Sequence, residues 1–513
     1  MIYWHQIAAG VLRLPGLSTL WRWATHPVGA LIALTIISRW PLRGQWLYHW
    51  DSVNFALALD AFDVARGQPH IPGYPLYVGL GRVSRWIFGD PQTALVALSV
   101  AGTALAAILI DQLGKEWLEP QAGTWAAAFW LSSPLVWFYG EIALPHVLDA
   151  GFILLVVWLA WRCARGERLH RPLALAFAAS GGLRPQNLLF LGPVFLWGLV
   201  GQPWRRRMES LVWLSGATLL WLIPLLVLTG GPARYLEISR AYNAHFLSST
   251  LVFGPHGLTA LQRNLSKLLP YTAYGIAGAG LALGMGLWRL RQAGLGRFPW
   301  IGWFLWITPS LMFYTLIHMG QQGLVLVFLP ALLLLAAHGV ARHGAWGRWL
   351  GAAGVALNAA IFLLAPEYPL GPEGIRLLNR STIQHHDAWL SGRFALLRHQ
   401  FPPDQTLVVA SQWRFFDIYG PEYRVLRFGL EDPSERPRVN QMVTRPKGDG
   451  MGWVVLFEPE LTRWVRPGSC PWRWFEGEGV RLPGWRWPPG AVWVHGPEGF
   501  GLMGGAQGEA CVP

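Results

Sequence analysis

Long, nearly uncharged apolar runs recur along this chain. They include PVGALIALTIISRW (27–40), TALVALSVAGTALAAILI (93–110), HVLDAGFILLVVWLAW (146–161), LVWLSGATLLWLIPLLVL (211–228), YGIAGAGLALGMGLW (274–288), GLVLVFLPALLLLAA (323–337) and WLGAAGVALNAAIFLLA (349–365). A membrane span needs about 20 mostly apolar residues. Hydrocarbon offers no partner to backbone N–H and C=O groups, so such runs must satisfy them internally, as helices. Some runs reach that length only with their flanks, which predicts tilted or partly shielded helices.

Composition agrees. Of 513 residues, 53% are hydrophobic and 13% charged, against roughly 25% charged in soluble domains. The net charge of +13 does not point to nucleic acid. Its Arg residues sit in short clusters between apolar runs: RCARGERLHR (162–171), WRRR (204–207), RLRQ (289–292) and ARHGAWGR (341–348). That is the pattern of cytoplasmic loops under the positive-inside rule.

With those clusters placed inside, the chain traces about eleven transmembrane helices, N-terminus inside and C-terminus outside. The expected spans are 27–44, 91–112, 122–139, 146–161, a short pair within 172–201, 210–229, 268–288, 300–317, 322–338 and 349–365. Residues 1–26 hold Arg13 and Arg22 and no long apolar core with a cleavage site, so the first span is expected to act as an uncleaved signal-anchor in the cytoplasmic (inner) membrane. The transmembrane domain is expected over 1–365, with a first outer loop at 45–90. From 366 to 513 the composition changes. TLVVAS, YRVLRF, GWVVLF and AVWVHG read as short buried strands, and TIQHHDAWLSGRFALLRHQ as a helix before them. This predicts a small extracytoplasmic α/β domain. Cys470 and Cys511 fall in it and could pair there, while Cys163 adjoins a basic loop.

The outer stretches hold polar residues that topology alone does not explain. In WDSVNFALALDAF, Phe55, Ala58, Leu59 and Phe62 recur at helical spacing after Asp51, which predicts an amphipathic helix at the membrane surface or packed on the bundle. Asp51 or Ser52 would also suit its N-cap. Asp63 is placed to face solvent or to pair with Arg66. In PHIPGYPLY, Pro72 and Pro75 fix φ and Gly73 permits a turn, holding His70 and Tyr74 in place. FYGEIALPH places Glu141 at a span exit, and GGLRPQN contributes Arg184, Gln186 and Asn187. An outward-facing Arg suits anion binding, since guanidinium matches phosphate, although snorkelling to headgroups would also place it there. Segment 230–267 adds Arg234, Arg240, Tyr242, Asn243, His245, Arg263 and Lys267. HMGQQG adds His318 and Gln321. Acids, cations, imidazoles and amides on one face suit a lipid-phosphate substrate entering from the bilayer. A carboxylate there can take a proton from an acceptor, and an Arg can hold the departing phosphate.

The stretch WDSVNFALAL…QPHIPGYPLY resembles the first-loop signature of bacterial multi-span relatives of the protein O-mannosyltransferases, within the GT-C glycosyltransferase superfamily. Ile71 stands where that pattern often has a Pro. GLRPQN and IHMGQQGLVLVFLPAL are similar to the same group, so the resemblance covers about residues 27–340. It implies a polyprenyl-phosphate sugar donor, inversion at the anomeric carbon, and Asp51 as base or acceptor-positioning group. The acceptor class, whether glycan, lipid or protein, stays open. Many relatives have two acids here; this chain has Asp51-Ser52. Some relatives use a divalent metal, for which Asp51, His70 and Glu141 would supply ligands. Two other functions remain: a transporter or flippase for lipid-linked glycans, and a non-catalytic scaffold whose role lies in the tail. A transporter predicts mid-span polar residues and repeated halves, and neither is evident.

Overall fold

Each apolar run forms a helix in the computed structural model, which describes residues 27–293, 298–367, 369–370, 375–427, 453–458, 492–496 and 499–503. Cys470 and Cys511 lie outside the described residues. The expected spans correspond to α1 (Pro27–Arg39), α4 (Pro91–Trp117), α5 (Pro120–Ser132), α7 (His146–Ala164), α8 (His170–Leu183), α9 (Asn187–Leu199), α10 (Trp204–Leu228), α12 and α13 (Gly257–Ile276, Gly280–Ala293), α14 (Trp300–Leu316), α15 (Leu329–Ala341) and α16 (Gly344–Leu364). Between them lie α2 (Trp50–Asp60), α3 (Pro75–Phe88), α6 (Pro134–Tyr139) and α11 (Pro232–Leu247). Among the described residues, five helices are long and apolar enough to cross a membrane, and three shorter ones are apolar throughout.

The departures from the expected spans have local causes. The third run breaks after Ser132 because Pro134 has no N–H to continue the ladder. Helices α8 and α9 have 14 and 13 residues, about 20 Å each at 1.5 Å per residue, so they form the short hairpin expected around Arg184. The eighth run starts well before its expected limit. Residues 257–267, expected as irregular outer chain, form the first half of α12 and carry Arg263 and Lys267. The helix stops at Ala277, whose φ is +37°, and the amide of Gly278 turns to the Oδ1 of Asn358 at 2.7 Å.

In the first outer loop, α2 is not a one-sided surface helix. Ser52 through Ala56, Ala58 and Leu59 are all buried, so it packs inside the bundle. The exposed apolar face belongs to α3, through Val83, Trp86, Ile87 and Phe88, as expected of a helix lying in an interface. Arg82 ties α3 to the end of α2, donating to the carbonyls of Ala58 and Leu59, and Arg85 reaches Asp60 at 2.5 Å. Asp63 pairs with Arg66 at 3.3 Å as expected. Helix α10 turns Val212, Leu220 and Val227 outward, an arrangement stable against lipid tails and costly against water.

The tail contains α17 (Arg380–Gln400), α18 (Phe416–Tyr419) and strands β1 (Pro369–Leu370) and β2 (Ile375–Arg376), paired as a short hairpin. Strands β3 (Thr406–Ala410), β4 (Arg424–Arg427), β5 (Trp453–Leu456), β6 (Val492–Gly496) and β7 (Gly499–Met503) form one sheet in the order β4-β3-β5-β6-β7. β3 runs parallel to β4 and β5; β6 and β7 are antiparallel. The four strands and the helix read from the sequence are all present. The tail does not stand apart, because its buried residues Leu390, Phe394 and Val408 belong to the same contiguous core as the helical bundle.

The tail grips the segment leading to Asp51. Asp387 accepts from the amides of Gln45 at 2.7 Å and Trp46 at 3.1 Å. Tyr419 receives the Leu47 amide at 2.9 Å, and His386 meets the Leu47 carbonyl at 3.0 Å. Trp46 stacks on Phe394 at 5.6 Å. Hydrogen bonds to a charged acceptor contribute about 1.5–3 kcal/mol. Asp387→Ala should therefore lower the thermal midpoint of the whole protein and expose the 43–50 segment to proteolysis, with a smaller drop for Asp387→Asn, whose amide oxygen still accepts. An unchanged midpoint in both variants would show that the tail does not brace this loop.

Candidate active site

Asp51 sits in the first turn of α2, and the helix is capped by the residue before it. His49 is the N-cap, its Nδ1 accepting the Asp51 amide at 3.1 Å. The carboxylate is thereby released from the capping role open to it in the sequence. It lies 3.4 Å from His49 Nδ1, 3.4 Å from His70 Nδ1, and accepts from Gln321 Nε2 at 2.5 Å. Burial alone would push this carboxyl up; His70, His49 and the Gln321 amide outweigh burial and hold it well below the usual carboxylate range. Asp51 is thus ionised at neutral pH. His70 is shifted the other way, downward, chiefly by burial and also by the positive charge of Arg184, against the pull of Asp51.

The turn that delivers His70 is tightly determined. Gly73 has φ +102°, and a Cβ there would stand 2.6 Å from Leu225 Cδ1 of α10. Tyr74 has φ +46°, a conformation that costs a non-glycine residue about 1–3 kcal/mol. Packing holds it: its ring lies 5.1 Å from Phe55, edge-on, and 5.1 Å from His70. Burial pushes the Tyr74 hydroxyl up to about 12, against the opposing effect of Arg184, so it remains a neutral donor.

These groups open on a cavity of about 560 Å³. Asp51, His70, Tyr74, Arg184, Gln186, His318 and Gln321 all line it, seven of the side chains singled out from the sequence. Tyr242 and Asn243 of α11 and Arg263 and Lys267 of α12 line it too. The cavity therefore has an acidic end at Asp51 and a cationic side formed by Arg184, Arg263 and Lys267. Asp51 is the one carboxylate among its described lining residues.

Three candidates lie elsewhere. Ser52 is one residue round α2 from Asp51 and faces the bundle, fully buried. Asn187 donates to Ser180 Oγ at 2.9 Å and to Asp149, away from the cavity. Glu141 is fully buried; its Oε1 accepts from Trp137 at 2.7 Å, and its backbone carbonyl receives the Gly44 amide at 3.0 Å. It braces the start of the outer loop and does not face Asp51. The trio Asp51, His70 and Glu141 is therefore not brought together as metal ligands. Among the described residues no group of three or more His, Cys, Asp or Glu side chains is arranged to hold a metal ion. Side chains such as His245 lie outside the described set.

His49, Asp149 and His146 are among the residues that escaped the sequence reading. Asp149, 2% exposed, lies 3.5 Å from Arg184 and anchors its guanidinium at the cavity wall. His146 lines the cavity and meets Gln321 at 3.1 Å. The signal for Asp149 was available: an acid inside an apolar run is costly unless it has a partner in the bundle.

No protein-family model matches the chain, and no curated protein matches it in sequence. Its fold does match solved structures. One is ArnT from Cupriavidus metallidurans bound to undecaprenyl phosphate, with a TM-score of 0.56 and 13% identity, covering 88% of this chain and 95% of that one. Another is the same protein in its apo state, with a TM-score of 0.54, 14% identity and the same coverage. The chain thus has the GT-C fold expected from its outer-loop motif.

The cationic side of the cavity carries a titration signature. Burial, with Lys267, Arg263 and Arg184, pushes His318 down to about 4. The unfolded chain takes up a proton near pH 6.5 that the folded His318 refuses. This contribution to stability is intact above pH 6.5 and is lost as pH falls toward 4. His318→Gln should show a smaller decline in thermal midpoint between pH 7 and pH 4.5 than the unsubstituted protein. Parallel declines would place His318 in a solvated, uncharged setting.

Proposed function

We propose that this chain is a membrane glycosyltransferase. It moves a sugar from a polyprenyl-phosphate-linked donor to an acceptor at the outer face of the cytoplasmic membrane. The observation that carries this reading is one cavity lined both by an ionised carboxylate, Asp51, and by the cationic side chains of Arg184, Arg263 and Lys267. The likeness in fold to a protein solved with undecaprenyl phosphate supports the choice of donor.

In this reading the acceptor hydroxyl or amine attacks the anomeric carbon. The bond from that carbon to the phosphate oxygen breaks, and the electron pair leaves with the polyprenyl phosphate. Asp51 takes the acceptor's proton as the new bond forms. Arg184, Arg263 and Lys267 hold the phosphate as its charge grows, which favours the transition state over the bound donor. Retaining sugar transfer uses a second carboxyl group as nucleophile about 5 Å from the first. With one lining carboxylate, the cavity favours direct displacement with inversion.

Asp51→Asn keeps the shape and removes the base. Turnover should fall by about a hundred- to ten-thousandfold with the thermal midpoint preserved. Arg184→Lys keeps the charge and loses the planar fork, so it should lower kcat at least as much as it raises the KM for the donor. Near-normal transfer by Asp51→Asn would refute the base assignment and leave Asp51 a structural residue at the start of α2.

Orientation follows from the same reading. Glu116–Arg162, Glu119–Arg342 and His170–Glu209 contacts gather the basic clusters at the helix ends opposite those that carry His146, Arg184 and Gln321. That basic end is assigned to the cytoplasm. In a background with Cys163, Cys470 and Cys511 replaced by Ser, Arg168→Cys should be protected from an impermeant thiol reagent in intact cells. Asp404→Cys should react. Reaction of both from outside would reverse this assignment.

A further inference from the structure

We infer that His146 is a positioning residue for Asp51 and acts through Gln321. The inference rests on the reading of Asp51 as the base. A carboxylate that is ionised only accepts hydrogen bonds, so the group facing it at 2.5 Å must be the Gln321 amide nitrogen. The amide oxygen then points the other way, where His146 Nε2 lies 3.1 Å off. An oxygen there requires an N–H, so His146 carries its proton on Nε2. If the amide were reversed, its oxygen would oppose the Asp51 carboxylate and its nitrogen would oppose the imidazole N–H. One imidazole proton therefore sets the direction of the amide, and the amide fixes one oxygen of Asp51.

The imidazole is itself held. The Tyr139 ring packs edge-on at 4.8 Å. Gly323 adjoins both rings: an added Cβ would stand 2.5 Å from His146 Cδ2 and 2.8 Å from Tyr139 Cε1, so only a residue without a side chain leaves room for them. His146 opens α7, and Gln321 lies on the segment leading to α15. The chain of contacts thus references the carboxylate of a surface loop to two helices of the bundle. Both ends of the Gln321 amide are occupied by the protein, which gives Gln321 an orienting role in place of the substrate contact expected from the sequence.

A double-mutant cycle on the full-length protein tests this. His146→Phe keeps a ring against Tyr139 and Gly323 and removes the N–H. Gln321→Met removes the amide at similar volume. Misplacing a reacting group by about 1 Å can cost roughly a hundredfold, so each single variant should lose about ten- to a hundredfold in kcat, with the donor KM within about twofold of wild type. The double variant should be no slower than Gln321→Met alone, because His146 has nothing left to orient. His146→Gln, which restores an N–H, should recover part of the loss. Additive losses, or a raised donor KM in His146→Phe at unchanged kcat, would overturn the inference and assign His146 a contact with substrate. A wild-type protein that transfers no sugar from polyprenyl-phosphate donors would overturn both this role and the glycosyltransferase reading.

Discussion

A negative charge placed at the end of an apolar helical bundle must be compensated there, and the elements around Asp51 are arranged by that requirement. Burial disfavours the ionised carboxylate, yet the net shift is toward ionisation. Compensation comes from four stretches far apart in the chain: His49 before α2, His70 from the proline-glycine turn, Gln321 before α15 and, behind it, His146 at the start of α7. The loop that carries the carboxylate is thus referenced to the bundle at several points, and preorganised charge of this kind is the largest single contribution to many enzymatic rates.

The same logic accounts for the cationic side. Arg184 caps the short α8–α9 hairpin, and a guanidinium there would be free to snorkel outward. Asp149, one turn into α7, prevents this by pairing with it at 3.5 Å, and Asn187, itself bonded to Ser180, donates to Asp149 in turn. A buried acid–base pair adds little net stability compared with apolar packing, but breaking it leaves an uncompensated charge. Its value here is directional, since it holds the guanidinium at the cavity wall.

The tail belongs to this arrangement. Its contacts fall on Gln45, Trp46 and Leu47, just before Asp51, and Trp413 meets Trp50 edge-on at 5.2 Å. Arg414 also donates to the carbonyl of Arg66, near His70. The tail therefore clamps both limbs of the loop that carries the acid and its imidazole.

Much of the fold was legible because hydrocarbon permits few backbone arrangements. Apolar runs had to be helices, and Arg clusters marked one side. Short apolar runs in the tail, TLVVAS, YRVLRF, GWVVLF and AVWVHG, identified four strands before any sheet was seen. Within the site, Asp51, His70, Tyr74, Arg184, Gln186, His318 and Gln321 stood out as polar residues where apolar ones would be less costly. Spacing did not show which polar groups would meet. Glu141 and Ser52 looked equivalent to Asp51 from the sequence, yet helix rotation and the break at Pro134 turn them into the protein. Asp149 and His146 lay hidden at the head of an apolar run, since their partners Arg184 and Gln321 are 35 and 175 residues away in the chain. The sequence by itself determined the helices, the polar end and the acid. Only the tertiary structure decided the pairings, because a hydrogen bond depends on angstroms between elements whose relative rotation no local pattern records.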